Sequence, residues 1–126
     1  MFELKVRSHF SAAHMILEHP GKCRLLHGHN WNVDVTVHAD ELNRIGLAVD
    51  FTDLKSVVKE ILQPLDHVCL NDLPHFSRVG SNPTAENISK YIFTEVRGRL
   101  RVQAPQARVK RVDVYETDTC SASYFE

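Results

Sequence analysis

The alternation of apolar and polar positions predicts two long strands at the start of the chain. Residues 2–14 alternate between an apolar and a charged face, and the apolar positions are Phe2, Leu4, Val6, Phe10 and Ala12. After a loop at 15–26 that contains Pro20-Gly21, residues 27–38 alternate in the same way. Their apolar positions are Trp31, Val33, Val35 and Val37.

Helical spacing of apolar residues predicts two helices in the middle of the chain. Residues 50–53 offer N-cap side chains, and apolar positions then recur with a period near 3.6 until Pro64 breaks the pattern. A loop runs from about Asn71 to Pro83, after which Thr84 can cap a second helix that ends near residues 103–106. Both helices are therefore expected to be amphipathic.

The last part of the chain predicts a hairpin. Residues 109–116 alternate again, with Glu116 in the apolar phase, and a short strand at about 120–125 pairs back through Thr117-Asp118-Thr119. The order is strand-strand-helix-helix-strand-strand. This order predicts an α+β fold, with an antiparallel sheet carrying two helices on one face, in one domain over residues 1–126.

Composition narrows the class of molecule that the protein is expected to bind. Net charge is −1 and the 15 basic residues are scattered along the chain, so no basic patch for nucleic acid or a membrane surface is expected. A small-molecule substrate is the better default. The charged start of the chain and the lack of a long apolar run favour a cytoplasmic protein. The three cysteines are expected as free thiols, with Cys69 and Cys120 as small buried side chains.

Three histidines fall on the apolar faces of the predicted strands. His14 ends the first strand, and His27 and His29 begin the second in a His-x-His pattern whose side chains point the same way. A His-x-His pair is often two ordinary histidines. A buried imidazole without a partner is unfavourable, however, and three imidazoles leave open the fourth position that catalytic zinc requires. We therefore predict a metal site, with zinc favoured over iron or copper by ligand type.

Four further residues are candidates for catalysis. Cys23 precedes His27 by four positions and could act as a general base, a nucleophile or a fourth zinc ligand. Asp66-His67 follows the first helix, where a carboxylate can set the tautomer of the imidazole. Glu116 lies in the apolar phase of its strand, so it must find hydrogen-bond donors, remain protonated or lie where the strand reaches solvent.

These residues lie in motifs that resemble one enzyme family along nearly the whole chain. The motifs are Phe10-Ser-Ala-Ala-His14, Cys-x3-His-Gly-His at 23–29, Asp50-Phe-Thr-Asp-Leu-Lys55, Leu65-Asp-His67, Asn82-Pro-Thr-Ala-Glu-Asn87 and Val114-Tyr-Glu-Thr117. The chain is similar to 6-pyruvoyltetrahydropterin synthases and the bacterial 6-carboxytetrahydropterin synthases of queuosine biosynthesis. The resemblance implies the tunnelling fold, or T-fold, in a homo-oligomer, usually a hexamer of two trimers, with active sites at subunit interfaces.

The resemblance also implies roles for these residues. His14, His27 and His29 would bind zinc, Cys23 would accept a proton, and Asp66 with His67 would form a relay. Glu116 would anchor the pterin ring, and Thr84 and Glu86 match a loop near that ring. Only positive charge suggests Lys22, Arg24 and Arg78 as triphosphate ligands.

The implied substrate is 7,8-dihydroneopterin triphosphate. Cys-x3-His-Gly-His resembles the bacterial queuosine branch, which releases triphosphate and acetaldehyde to leave a 6-carboxy product, whereas the animal enzymes resemble Cys-x5-His-Gly-His and make a pyruvoyl product. The carboxy product is therefore favoured and the pyruvoyl product is the alternative. A zinc hydrolase or thiol enzyme with other substrates, and a non-catalytic zinc-stabilised binding module, are more distant alternatives.

Overall fold

A computed structural model describes residues 1–126 and contains five strands and two helices. The strands are β1 (Phe2–His14), β2 (His27–Ala39), β3 (Val68–Cys69), β4 (Ala107–Thr117) and β5 (Cys120–Phe125), and the helices are α1 (Phe51–Leu62) and α2 (Ala85–Gln103). They form one sheet in the order β3-β1-β2-β4-β5. The predicted order of the two helices and the four longer strands is confirmed.

The predicted antiparallel sheet needs one correction, because the sheet is mixed. β3 pairs with the end of β1 in parallel, through Ala12 with Val68 and Ala13 with Cys69, whereas all other pairs are antiparallel. A strand of two residues is too short to show a period of two. The sequence pattern therefore contained no signal for it.

Both helices begin at the predicted caps. The side chain of Asp50 accepts a hydrogen bond from the amide of Thr52, and that of Thr84 accepts one from the amide of Asn87. Each bond satisfies an amide that has no partner within the helix. α1 ends at Leu62, before Pro64.

The helices cover one face of the sheet. α1 packs against β1, and α2 packs against β4 and β5. A core of 29 buried apolar residues fills the space between, with Trp31, Phe10 and Phe93 among its largest members. Neither helix combines the length and the apolar character that crossing a bilayer requires.

The opposite face of the sheet carries paired charges, and we call it the polar face. Asp34 is only 5% exposed, and its carboxylate accepts two hydrogen bonds from Arg7 at 2.5 and 2.9 Å. Asp113 is likewise buried and accepts a bond of 2.7 Å from Arg111. These carboxylates are tolerated in a buried place because each is paired and hydrogen-bonded.

All three cysteines are free thiols, as expected. Cys69 is partly buried, but Cys120 is exposed, so its predicted burial was wrong. It follows the turn of the β4–β5 hairpin, where the chain projects away from the core. The apolar character of a thiol does not by itself decide its burial.

Candidate active site

The register of β1 and β2 brings three histidines together at one end of the sheet. His14 lies directly opposite His27, and His29 lies opposite Ala12, two residues along the same face. Directly opposed side chains and their diagonal neighbours are in reach of each other. The ring centroids of the three imidazoles are accordingly 4.5 to 5.1 Å apart.

Backbone carbonyls orient two of the rings. Nδ1 of His14 lies 2.7 Å from the carbonyl oxygen of Pro83, and Nδ1 of His27 lies 2.7 Å from that of Leu25. A carbonyl only accepts hydrogen bonds, so each Nδ1 carries the proton. Each neutral ring then presents the lone pair of Nε2. This is how metal-binding histidines are commonly held.

The three imidazoles face one another in a way that suits a bound cation. Nε2 of His14 and Nε2 of His27 are 3.0 Å apart, and two lone pairs at that distance repel unless a proton or a cation lies between them. Two nitrogen ligands of tetrahedral zinc are about 3.3 Å apart, which is close to this separation. Nε2 of His29 is also buried and accepts or donates no hydrogen bond. The donor set therefore fits a zinc ion.

Burial favours the neutral form of two of these rings. It lowers the pKa of His14, which is 1% exposed and packs edge-on against the indole of Trp31. It also lowers the pKa of His29, against the opposing effect of the nearby Glu116 carboxylate. A neutral imidazole is the form that binds a metal, so the environment favours the ligand form.

Glu116 joins this cluster, although the sequence suggested only that it needs a partner. Its Oε1 lies 3.2 Å from Nε2 of His29, and one ligand atom from each of the four residues lies within 4.8 Å of the others. The contact is close, but its angles do not make it a hydrogen bond. Glu116 occupies a bulge between the Tyr115 and Thr117 pairs of β4 with β5, and such bulges re-aim side chains.

Cys23 is near the cluster in sequence but is not one of its four members. It lies in a single 3₁₀ turn, Lys22–Arg24, and it is half-buried. Its carbonyl oxygen accepts a hydrogen bond of 2.8 Å from the amide of Ile16, which ties this turn to the residues that follow β1. The turn that carries Cys23 is thus tied to the chain just after His14, and the thiol is not within the ligand set of the cluster.

Asp66 and His67 form a hydrogen-bonded pair on the edge of β1. Oδ2 of Asp66 lies 2.8 Å from Nδ1 of His67, and Oδ1 accepts a bond of 2.9 Å from the amide of Ser11. That bond is the first cause of the lowered pKa of Asp66, and His67 is the second. His67 adopts a left-handed backbone with φ of 57°, and its side chain is 81% exposed. The outer part of its ring is therefore open to solvent.

His67 borders a cavity of about 500 Å³ at the end of β1 and β2. Ser11, Gly28, Asn30 and His29 also line this cavity. Ser11, Gly28 and Asn30 alternate with His14, His27 and His29 along β1 and β2, so they face the other side of the ladder. Within one chain no hydrogen bond or ion pair joins Asp66 or His67 to the histidine cluster.

Thr84 and Glu86 lie outside the cluster. Thr84 caps α2, and Glu86 is exposed in the first turn of that helix. The segment before them contributes support that sequence analysis missed. Besides the Pro83 carbonyl, the buried side chain of Asn82 makes two bonds of 3.0 Å with the backbone of Leu17. An asparagine before Pro-Thr at a helix start is the only available sequence signal.

The sequence of this chain matches a known family. The family model described as 6-pyruvoyl tetrahydropterin synthase matches residues 3–126. The chain belongs to the 6-pyruvoyl tetrahydropterin synthase family. The predicted family is thereby confirmed, and as a member the protein is a lyase-type enzyme of pterin metabolism.

Relatives from both branches of the 6-pyruvoyl tetrahydropterin synthase family are similar to this chain. The 6-carboxy-5,6,7,8-tetrahydropterin synthase of Bacillus subtilis is 38% identical over 98% of this chain and 84% of its own length. The human 6-pyruvoyl tetrahydrobiopterin synthase is 41% identical, but over 78% of this chain and 66% of its own length.

A solved structure supports the fold. The 6-pyruvoyl tetrahydropterin synthase of Caenorhabditis elegans superposes with a TM-score of 0.84 at 24% identity, over 99% of this chain and 95% of that one. At this identity the match speaks for the fold alone. The predicted T-fold is confirmed.

Proposed function

We propose that this protein, as one domain over residues 1–126, is a zinc-dependent 6-carboxytetrahydropterin synthase. It converts 7,8-dihydroneopterin triphosphate to 6-carboxy-5,6,7,8-tetrahydropterin, acetaldehyde and triphosphate in queuosine biosynthesis. Support for this branch comes from the Bacillus subtilis relative, which aligns over 98% of the chain, and from the Cys-x3-His-Gly-His spacing.

The observation that carries the zinc dependence is the set of unpartnered imidazole nitrogens. Nε2 of His14 and Nε2 of His27 face each other at 3.0 Å, and Nε2 of His29 has no hydrogen-bond partner. These three residues would hold the metal. When bound, zinc supplies Lewis-acid polarisation of the substrate's side-chain oxygens.

The chain's own residues would then bind the substrate and move its protons. The thiol of Cys23, in the turn that is tied to the residues after His14, would take a proton as its thiolate. Glu116 would anchor the pterin, because a carboxylate accepts two parallel N–H bonds from an aminopyrimidine. Its side chain is 34% exposed, so the outer oxygen remains available to a ligand. Thr84 and Glu86 would border that ring.

Asp66 and His67 would complete the site from a neighbouring copy of the chain. Within one chain this pair makes no hydrogen bond or ion pair with the histidine cluster, and its imidazole is 81% exposed. A relay residue must come within hydrogen-bond reach of the atom whose proton it takes. We therefore infer a homo-oligomer, a hexamer by family resemblance, in which one copy supplies the zinc ligands and another supplies His67.

The alternative is the pyruvoyl reaction, in which triphosphate is eliminated without cleavage of the carbon chain. The 41% identity to the human enzyme over 102 residues favours it. That alignment omits more of both chains than the one with the bacterial relative. Two residues of loop length between Cys23 and His27 would place the thiol differently, so the bacterial spacing favours the carboxy product.

The decisive experiment is to incubate the zinc-loaded protein with 7,8-dihydroneopterin triphosphate and to measure acetaldehyde together with the pterin product. We expect acetaldehyde and 6-carboxytetrahydropterin in equal amounts. A pyruvoyl product without acetaldehyde would establish the alternative. A protein that binds zinc and leaves this substrate unchanged would contradict both.

A further inference from the structure

The polar face of the sheet contains a second cavity, far from any role in the reaction above. It has a volume of about 510 Å³ and lies over β1, β2, β4 and β5. Three basic residues border it, namely Lys5, Lys110 and Arg111, together with the hydroxyl-bearing Thr36. The carboxylates that also border it are Glu3 and Asp113.

The strand register places the basic side chains around the threonine. Lys5 lies directly opposite Thr36 on one side, and Arg111 lies opposite it on the other. The β carbons of directly opposed residues are about 5 Å apart. The hydroxyl of Thr36 is therefore flanked by an ammonium and a guanidinium group.

A bulge adds the third cation. The pairing of β2 with β4 shifts between Thr36 and Val37, which leaves Lys110 as the extra residue of β4. Successive residues of a regular strand point to opposite faces, but a bulge interrupts that alternation. Lys110 and Arg111 consequently border the same cavity.

The carboxylates near this cavity are already partnered. Glu3 lies 2.7 Å from Nε2 of His38, and Asp113 is bound by Arg111 and by the hydroxyl of Ser123. Lys110 donates to the main-chain oxygen of Glu126, and Lys5 has no ion-pair partner. Of the three basic side chains, Lys5 alone is thus left without a hydrogen-bond or ion-pair partner.

Thr36 supplies the second and independent observation. It is 3% exposed, and its Oγ1 is a buried polar atom without any hydrogen-bond partner. Buried hydroxyls are nearly always hydrogen-bonded. A hydroxyl without a partner between two cations can donate its proton to an anion.

We propose that this cavity binds an oxyanion of the phosphate class. The hydroxyl of Thr36 and the ammonium group of Lys5 are its principal donors, and Lys110 and Arg111 contribute charge. The cavity is larger than a single phosphate group, so a short phosphate chain also fits. This site is separate from the zinc cluster and does not depend on the reaction proposed above.

The test is calorimetric titration of the zinc-loaded protein with inorganic phosphate, and separately with inorganic triphosphate, at constant ionic strength. We expect Lys5→Gln to weaken binding about tenfold, and Thr36→Val, which removes the hydroxyl but keeps the volume, about fivefold. Thr36→Ser should restore affinity. The matched control is Lys55→Gln, which removes an exposed lysine of α1 on the other side of the molecule. The tighter of the two anions identifies the ligand as a single phosphate or a chain.

Three results would overturn the proposal. One is that neither anion binds the unaltered protein. Another is that the affinity is unchanged in both Lys5→Gln and Thr36→Val. The third is that binding disappears when zinc is removed from the unaltered protein, which would place the anion at the histidine cluster. None of these results bears on acetaldehyde production, so this proposal can fail while the proposed function stands.

Discussion

The histidines of this protein lie in two regions with different surroundings. On the helix side, His14, His27 and His29 are enclosed, and backbone carbonyls fix the rings of His14 and His27 with Nε2 pointing inward. Outside that cluster, His67 is 81% exposed and pairs with Asp66, and His38 on the polar face pairs with Glu3. Enclosure thus distinguishes the three clustered rings from that of His67.

The difference lies in what each face offers the ring. Burial without a carboxylate partner lowers the pKa of His14 and keeps its lone pair free for a metal. The ring of His67 is instead largely exposed, with its Nδ1 2.8 Å from the carboxylate of Asp66. Enclosure and exposure thus leave different ring atoms accessible in the two places.

Removal of one enclosed histidine should have the largest effect. We expect His27→Ala to lower zinc affinity by more than about 100-fold and to abolish activity, because a tripod that has lost one ligand no longer holds the ion. Zinc content by elemental analysis and product formation measure this. His38→Ala, on the polar side of the same strand, is the control and should retain zinc. Equal zinc loss in both variants would contradict the expected difference between the two sides of this strand.

Separation of the two faces predicts complementation between inactive variants. Cys23→Ala and His67→Ala should each lose about 10²- to 10⁴-fold in kcat, since each removes a proton-transfer group. Mixed assemblies formed by refolding both variants together should recover about a quarter of normal activity, because one site in four then receives both groups from different copies. Mixtures that stay inactive would show that each site is built from one chain.

Glu116 lies beside His29 in the histidine cluster. Its replacement distinguishes a metal ligand from a residue that anchors the pterin. We expect Glu116→Gln to lower kcat/KM about 10- to 100-fold while zinc content stays normal, since a charged hydrogen bond to the pterin contributes about 1.5–3 kcal/mol. Glu95→Gln, in α2, is a suitable control. Loss of zinc from the Glu116 variant would instead make this carboxylate a metal ligand.

The ion pairs of the polar face should also contribute to the free energy of unfolding. Arg7→Ala leaves the carboxylate of Asp34 buried without its partner, and we expect a loss of about 2 kcal/mol in the free energy of unfolding. Denaturant unfolding measures it. Arg44→Ala removes an exposed arginine outside any ion pair and should change stability by less than about 0.5 kcal/mol. Equal stability of the two variants would contradict the buried pair.

The smallest expected effect is on the free energy of unfolding at acidic pH. Because the pKa of Asp66 is below its ordinary 3.8 in the folded protein, the unfolded chain binds more protons at low pH. Its contribution to stability is present above 3.8 and is lost as the pH falls through the lowered pKa. Asp66→Asn should therefore flatten the pH dependence of unfolding below about pH 5 without changing it at neutral pH. An unchanged slope would contradict the bond from Ser11.

Local patterns were sufficient for the regular elements of this chain. The helix caps at Asp50 and Thr84 and the long strands followed from side-chain chemistry and periodicity, and the structure has them where they were expected. β3 and the exposure of Cys120 were not predictable in this way. A two-residue strand has no measurable period, and the burial of a single thiol depends on what packs beside it.

The candidate site was only partly accessible from sequence. The alternation of apolar and polar residues placed His14, His27 and His29 on apolar faces. A motif near the other end of the chain indicated that Glu116 needs a hydrogen-bond donor. The sequence did not indicate that Glu116 lies beside His29, because this contact depends on the bulge at the end of β4. The support from Pro83 and Asn82 comes from a loop almost seventy residues away from His14 and Leu17 along the chain.

The family of this protein, and the face to which each strand side chain points, could be predicted from the sequence because both follow from short stretches of residues. That His14 lies opposite His27, and that no contact joins His67 to either of them within one chain, depends on the folded structure. Register and the path of loops depend on the simultaneous packing of distant segments, and no local pattern records that packing.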